Sequence, residues 1–430
     1  MGRLPLMHTA HDHAVRVATI VSLVLTTGAG AAELVLLPVP AGKSVYLTDV
    51  SDDGSVVVGN ASEQYFTWTR EAGVVYIGGI APGFQGAGGT GRVSANGTLV
   101  AGVALNASSK AEASRYSVAQ AAWTAGPGIG GSCDITSTSA YGMSADGNVI
   151  VGGGYATACG AFRAFRWDAA TGTIATMQSW FGWSGRANSV SGDGATVVGW
   201  QVDGTGVRRP CFWRSNGTSW VQTRPSSPVG TSYTLFGEAN AASHDGQTVV
   251  GQATIAGLQQ PFRWTQAGGT VGLGTATDPA LPGFAVDCSS DASRVLCFFR
   301  AGPPPTSGEG FMWIEGRGYV ALEELALEAG VQVAPEVRLS LPLAMSADGK
   351  TIVGSGRDEF QGIDVTFVLD LRPAQPACPG DLNDDGDVNG LDLGILLGAW
   401  GQRGIADINQ DGVVNGVDLG ILLGNWGTCP

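Results

Sequence analysis

From residue 45 to residue 370 the apolar positions come in short runs, such as Val56-Val57-Val58 and Val149-Ile150-Val151, each set off by a polar turn rich in Asp and Gly. Runs that short, rich in Val and bounded by such turns, read as strands. Turn and run together make one phrase, Ser-x-Asp-Gly-x-x-Val-Val-Gly, which returns with variation at Ser51 to Gly59, Ser94 to Gly102, Ser144 to Gly152, Ser191 to Gly199, Ser243 to Gly251, Ser289 to Cys297 and Ser346 to Gly354. The final positions lie 43 to 57 residues apart, a period typical of propeller blades and too long for a β-helix coil. Asp53-Gly54, Asn96-Gly97, Asp146-Gly147, Asp193-Gly194, Asp245-Gly246 and Asp348-Gly349 are hairpin signals, expected as two-residue type I′ turns with both central residues at positive φ. The sixth copy departs, with Asp291-Ala292.

After each turn and run, a loop leads to a predicted third strand carrying Trp68, Trp123, Trp167, Trp213, Trp264 and Trp313 in turn. A fourth strand follows in most copies, as at Val74 to Ile77 and Tyr319 to Leu322. The seventh copy ends at Phe367-Val368-Leu369 without one, whereas Glu33-Leu-Val-Leu-Leu-Pro-Val39 precedes the first copy and has no partner there. Pairing that segment into the last blade would close the ring and remove an exposed sheet edge. The expected fold is therefore mainly β, a seven-bladed β-propeller over residues 33–370, joined by a Pro-rich linker at 371–377 to a small helical domain at 378–430.

The last fifty positions change period. Two twelve-residue stretches, 381–392 and 407–418, place oxygen-bearing residues where a calcium loop needs them, with glycine at the sixth position for the sharp turn. Side-chain ligands would be Asp381, Asn383, Asp385 and Asp392 in the first loop, and Asp407, Asn409, Asp411 and Asp418 in the second. Asp387 and Val413 would offer main-chain carbonyls, and Asn389 and Asn415 would reach the ion directly or through water. Each loop runs into Asp-Leu-Gly-Ile-Leu-Leu-Gly, so that Leu393, Leu396, Leu397 and Trp400, and again Leu419, Leu422, Leu423 and Trp426, recur at helical spacing and predict two helices packing through those faces. Cys378 and Cys429 stand just outside the loops and suit a clasp.

This segment resembles a type I dockerin, the calcium-dependent module that docks secreted proteins, often glycan-degrading ones, onto cohesin receptors. The resemblance implies two calcium ions and a cohesin-like or other surface scaffold protein as partner. In that family loop positions 10 and 11 and the following helix carry the receptor contacts, commonly through hydroxyl and basic residues. Here those positions are Gly390 and Leu391, then Gly416 and Val417, and neither helix contains Lys or Arg. The repeat region resembles the HAF-repeat extracellular proteins, in the Ser-Ala-Asp-Gly turn, the Val-Val-Gly strand and Ala-Phe-Arg-Trp at 164–167. The eponymous His is missing from every copy, and the family implies location and fold rather than a reaction.

Charge and composition refine this picture. Charged residues make up 14% of the chain and Gly 67 of its 430 positions, as suits a secreted all-β protein. A net charge of −14 without a basic cluster argues against a nucleic-acid partner. Residues 1–32 read as a signal peptide: Arg3 and Arg16 precede an apolar run from Val17 to Leu25, with cleavage expected near Ala31 or Ala32 and an uncleaved anchor as the alternative. Later stretches are too short or too polar to span a membrane. Export permits disulfides; besides the terminal pair, Cys288 with Cys297 and Cys133 with Cys159 are the expected partners, which leaves Cys211 odd.

Imidazole chemistry is nearly excluded, because only His244 lies beyond the signal, at the variable second position of a turn where a solvated role is expected. Among acids, Glu238, Glu309, Asp287 and Glu359 sit near predicted strand edges, with no pair marked by spacing. Trp180, Trp183, Trp200 and Trp220 lie outside the repeat phrases, and the arginines of 163–166 and 208–209 read as solvated strand faces. No catalytic residue is assigned. The expectation is a secreted, non-catalytic binding propeller attached through its tail, with glycan as a candidate ligand. The alternative is a carboxylate-dependent polysaccharide hydrolase or lyase.

Overall fold

The computed structural model describes residues 23–24, 32–39, 45–61, 63–80, 89–130, 138–155, 162–179, 182, 184–216, 219–225, 237–276, 278–302, 307–372, 378–383, 385–402, 405–409 and 413–429. Seven antiparallel sheets form the blades of a β-propeller, six of them sequential meanders of four strands and the seventh completed from the N-terminal side of the chain. The first strand of each blade is Val45–Val50, Arg92–Val93, Thr138–Met143, Gly185–Val190, Gly237–Ala242, Gly283–Cys288 and Val337–Met345. Glu33–Pro38 pairs with Ile363–Asp370 over six residues, from Glu33 opposite Asp370 to Pro38 opposite Val365, so the strand before the first blade completes the seventh. Leu23–Val24 adds a fifth strand to that sheet. Apart from Ala32, the rest of the expected export segment lies outside the described residues.

Packing between blades supplies the core. Val35 and Leu37 of the closing strand and Ala344, Val353 and Val368 of blade 7 share one cluster with Leu47, Val57, Phe66 and Trp68 of blade 1. Later strands follow the expected pattern, with two exceptions. In blade 2 the third strand, Ala111–Ser117, places Tyr116 opposite Val100, the position that Trp68 takes opposite Val57 in blade 1. Trp123 belongs instead to the fourth strand, Ala122–Ala125, and donates its Nε1–H to the Ile77 carbonyl of blade 1 at 2.6 Å. A short helix, α1 (Leu322–Glu328), follows blade 6 and buries Leu322, Leu325 and Ala326.

The repeated turn is not type I′. Only the glycine has positive φ, as in Gly54 at 76° and Gly246 at 65°, whereas the preceding Asp or Asn does not. The reason is a side-chain brace common to all seven copies. In blade 5 the Ser243 hydroxyl donates to Asp245 at 2.6 Å and accepts the Thr248 N–H at 2.9 Å, while Asp245 also accepts the Gln247 N–H at 2.9 Å. These bonds accompany a φ at Asp245 that is not positive, and the Gly246 N–H closes onto the Ser243 carbonyl at 2.9 Å. A Cβ on Gly246 would lie 2.2 Å from Thr196 Oγ1 of the blade before. In the sixth copy Ala292 takes φ 54°, and the cost of that left-handed backbone is offset by complete burial of its methyl group.

The glycine that ends Val-Val-Gly has a separate cause. The first strand is bulged opposite it, which brings a main-chain carbonyl onto its Cα: a Cβ would lie 2.1 Å from the Glu238 oxygen at Gly251 and 2.0 Å from the Arg186 oxygen at Gly199. Cys297 occupies this position in blade 6, opposite Ala285, while Cys288 pairs with Val295. That two-residue offset explains why Cys288 and Cys297 are both free, buried thiols and not the expected disulfide. Cys211 is also free and buried, and Cys133 and Cys159 lie outside the described residues.

In the C-terminal segment, α2 (Gly390–Gly398) and α3 (Gly416–Gly424) pack around Val388, Leu396, Ala406, Val414 and Leu422, each fully buried. Cys378 and Cys429 are disulfide-bonded, with Cα atoms 5.7 Å apart. The inward stripe runs from Asp392 to Leu396 and from Asp418 to Leu422. Of the expected packing face, Leu393, Leu396, Leu419 and Leu422 do pack inward, whereas Leu397, Trp400, Leu423 and Trp426 are exposed, the two Trp lying beyond the ends of the helices. Among the described residues no helix is long and apolar enough to cross a membrane, which says nothing of strands.

Candidate ligand channel and oxygen loops

The bulges have a second effect. In six blades the extra residue turns toward the propeller axis: Thr48, Tyr141, Asn188, Asn240, Val286 and Leu343. With Thr90, Arg92 and Arg186 they line a cavity of 320 Å³ in the central channel. A narrower cavity of 120 Å³ is lined by residues nearer the turns, including Asp49, Asp52, Asp287 and His244. Arg92 belongs to both.

The turns around the narrow cavity are joined by a closed circle of seven main-chain hydrogen bonds of 2.7 to 3.2 Å. Asp52 donates its N–H to the Ala95 carbonyl, Ala95 to Ala145, Ala145 to Gly192, Asp193 to His244, His244 to Ser290, Ser290 to Ala347, and Ala347 back to Asp52. The turn residue expected to be merely solvated is thus part of the channel rim. His244 is exposed and lies over Gly192, where a Cβ would meet its Nδ1 at 2.1 Å.

Asp49 and Asp287 brace neighbouring blades in the same manner. Asp49 accepts the Val93 N–H at 2.8 Å and Asp287 the Met345 N–H at 2.9 Å. Burial raises both carboxyls: Arg92, 3.5 Å from Asp49, opposes the rise there, while the Asp49 charge adds to it at Asp287, which reaches about 7. A carboxyl raised in the folded state stabilises the fold most below its unfolded value, near 3.9, and loses that contribution as pH climbs through about 7. Propeller stability at constant calcium is therefore expected to fall between about pH 4 and pH 7, and Asp287→Asn to flatten part of that slope. Thermal unfolding across this range checks it; a mutant slope identical to the parent's would refute the assignment to Asp287.

Behind the wider cavity's wall, Glu238 is 7% exposed and accepts from Arg208 Nη1 at 2.6 Å, Arg186 Nη2 at 3.4 Å and Asn188 Nδ2 at 3.2 Å. The Arg186 guanidinium lies 4.4 Å over the Tyr141 ring and that of Arg208 4.2 Å over Trp200. Arg209 pairs with Asp203 at 2.8 Å. These arginines are engaged in ion pairs and stacking, not the plain solvated faces expected from sequence. Trp220 lies under Arg166 between blades 3 and 4, while Trp180 and Trp183 lie outside the described residues. Of the expected strand-edge acids, Glu309 is exposed and Glu359 meets Arg338 and Arg357 at the surface. Sequence reading missed Asp49, Arg92, Arg186, Asn188 and Asn240. A signal existed, since each lies two to five positions before a phrase serine, in columns that vary from copy to copy.

The C-terminal loops gather oxygen atoms. Asp381 accepts the Asp385 and Gly386 N–H groups at 3.1 and 2.9 Å, and Gly386 makes the turn at φ 90°. The Asp392 carboxylate, fully buried, accepts from Leu382, Asn383 and Asn389 main-chain N–H groups. Asp418 repeats this with Asn409 and Asn415. Asn389 and Asn415 also cap α2 and α3. Among the described residues no cluster of three or more His, Cys, Asp and Glu side chains is placed for a metal. The expected ligand sets would also draw on Asn and main-chain oxygens, and Asp411 lies outside the described residues. An all-oxygen donor set of this kind fits a hard divalent cation.

No family model matches the chain, and no curated protein does. The β-propeller domain of the Trilobed protease from Pyrococcus furiosus superposes with a TM-score of 0.51 at 8% identity, over 78% of this chain and 99% of that one. An oligogalacturonate lyase in complex with manganese gives 0.49 at 11% identity, over 82% and 96%. The oligogalacturonate lyase from Vibrio parahaemolyticus gives 0.49 at 10%, over 82% and 97%. The likeness is one of fold alone, since one fold hosts many functions.

Proposed function

We propose that this is an exported recognition protein, in which a propeller of HAF-type repeats presents a ligand channel and a dockerin-like tail attaches it to a cohesin-like or other surface scaffold protein. The observation that carries the reading is the tail's paired apolar surface. Leu391 and Val417, at loop position 11, are 64% and 54% exposed, and the Trp400 and Trp426 side chains, just beyond the other ends of α2 and α3, are about half exposed. So much uncovered apolar surface on a small module marks an interaction site. Asp381, Asn383, Asp385, Asp387, Asn389 and Asp392 would hold one calcium ion, and Asp407, Asn409, Asp411, Val413, Asn415 and Asp418 a second. The ions would neutralise the loops and fix the helices on which the apolar pairs sit.

A second reading is a carboxylate-dependent hydrolase or lyase on extracellular polysaccharide, favoured by the Asp287 carboxyl raised to about 7 close to Asp49. A glycan panel separates the two. Binding without reducing-end release is expected, and release that Asp287→Asn abolishes would replace the first reading by the second.

A further inference from the structure

We propose that the wider channel cavity binds a small organic carboxylate, seated between Arg92 and Arg186. This deepens the reading of the propeller as a recognition module and does not depend on the tail. The chain as a whole carries a net charge of −14, yet this cavity has two guanidinium groups on its wall and no carboxylate among its lining residues. The carboxylates that partner them, Asp49 and Glu238, lie behind the wall, at 3.5 and 3.4 Å.

Hydrogen bonding leaves each arginine with one end to offer. Arg92 donates Nε–H to the Tyr141 carbonyl at 2.9 Å and Nη1–H to the Thr48 carbonyl at 3.4 Å. Arg186 donates Nε–H to Asn188 Oδ1 at 2.7 Å and Nη2–H to Glu238. Among the described residues Arg92 Nη2 and Arg186 Nη1 make no hydrogen bond. Both groups are held rigid by their other bonds, so little rotamer freedom is lost when an anion arrives.

The rest of the wall limits the ligand. Asn188 spends its amide N–H groups on Glu238, the Ala239 carbonyl and Asn240, and Asn240 spends its own on Gln252 and the Ala285 carbonyl. Charged donation to an anion therefore falls to the arginines, with the Tyr141 and Thr90 hydroxyls on the same wall as neutral donors. Val286 and Leu343 make the facing wall apolar. A volume of 320 Å³ exceeds what a bare inorganic anion fills and lies at the lower end of small-molecule sites. The occupant is a carboxylate on a compact body of about one sugar ring, and a cation is repelled.

Calorimetry on the full chain with calcium present tests this with three probes: glucuronate, glucose as its uncharged counterpart, and inorganic phosphate. Glucuronate is expected to bind, with affinity falling as salt rises, and to exceed the other two at least tenfold. Arg186→Gln is expected to weaken it tenfold or more, the loss of one charge-assisted hydrogen bond. Leu343→Trp, which fills the cavity without touching a charge, is expected to abolish binding, and Asn240→Ala, which removes no donor from the anion, to change it little. Equal affinity for glucose, tighter binding of phosphate, no heat with glucuronate, or binding that survives in a folded Leu343→Trp protein would each overturn the proposal. Calcium titration of the same samples reads the anchoring tail independently.

Discussion

Deleting residues 33–39 is expected to open the propeller ring and lower its stability by on the order of 5 kcal/mol. The closing strand buries Val35 and Leu37 to 2% and 4% exposure, and burial of two such side chains is worth roughly 3 to 6 kcal/mol. Its main chain also pairs residue for residue with Ile363–Asp370, so deletion leaves that strand as an unpaired edge. Arg70 adds a tie between the ring's two ends, reaching Glu33 at 3.0 Å and Asp370 at 2.7 Å, while Arg372 donates to both Asp370 and the Asp53 carbonyl in blade 1. Val35→Ser with Leu37→Ser, which keeps the strand but removes its apolar side chains, should reproduce most of the loss. Thermal and denaturant unfolding of the propeller check it; a melting curve unaltered by the deletion would refute closure by this strand.

Chelating calcium is expected to unfold the C-terminal segment while leaving the propeller intact. Free calcium at a thousand times its dissociation constant would contribute about 4 kcal/mol per site, and two sites together rival the whole stability of a fifty-residue domain. The segment carries eight Asp and one Arg, a net charge of −7 that two ions would reduce to −3. Five fully buried apolar residues make a small core against that repulsion. The disulfide limits the unfolded chain but cannot replace the ions' charge. Helical circular dichroism of the isolated tail should fall in chelator and return with calcium. Asp392→Ala should remove one of two binding events, because its buried carboxylate otherwise gathers three main-chain N–H groups at the loop's centre. A spectrum indifferent to chelator, or two undiminished binding events in the mutant, would contradict this.

The blades were legible because the repeat is local. Ser243, Asp245 and Gly246 make their turn with one another, and Val249 and Val250 follow it into a strand, so the phrase can be read without knowing what lies across the ring. The turn type was misread for an equally local reason: the Ser–Asp brace competes with the two-residue turn that Asp-Gly favours elsewhere. The Cys378–Cys429 clasp was legible because the loops between them repeat in register. Cys288 with Cys297 was not, because pairing register depends on a bulge that composition does not mark.

The sequence by itself determined the number of blades, the strand that closes the ring and the positions of the two oxygen loops, all properties of repetition along the chain. Only the tertiary structure decided which residues share the channel. Asp49 and Asp287 are far apart in sequence, as are Arg92 and Arg186; Asp49, Arg92 and Asp287 share a column that holds Gly, Ser or Ala in the other blades. They meet because seven first strands surround one axis and a bulge turns one residue of most of them inward. A repeat shows where a blade lies; the closure of the ring sets which side chains face one another across its centre.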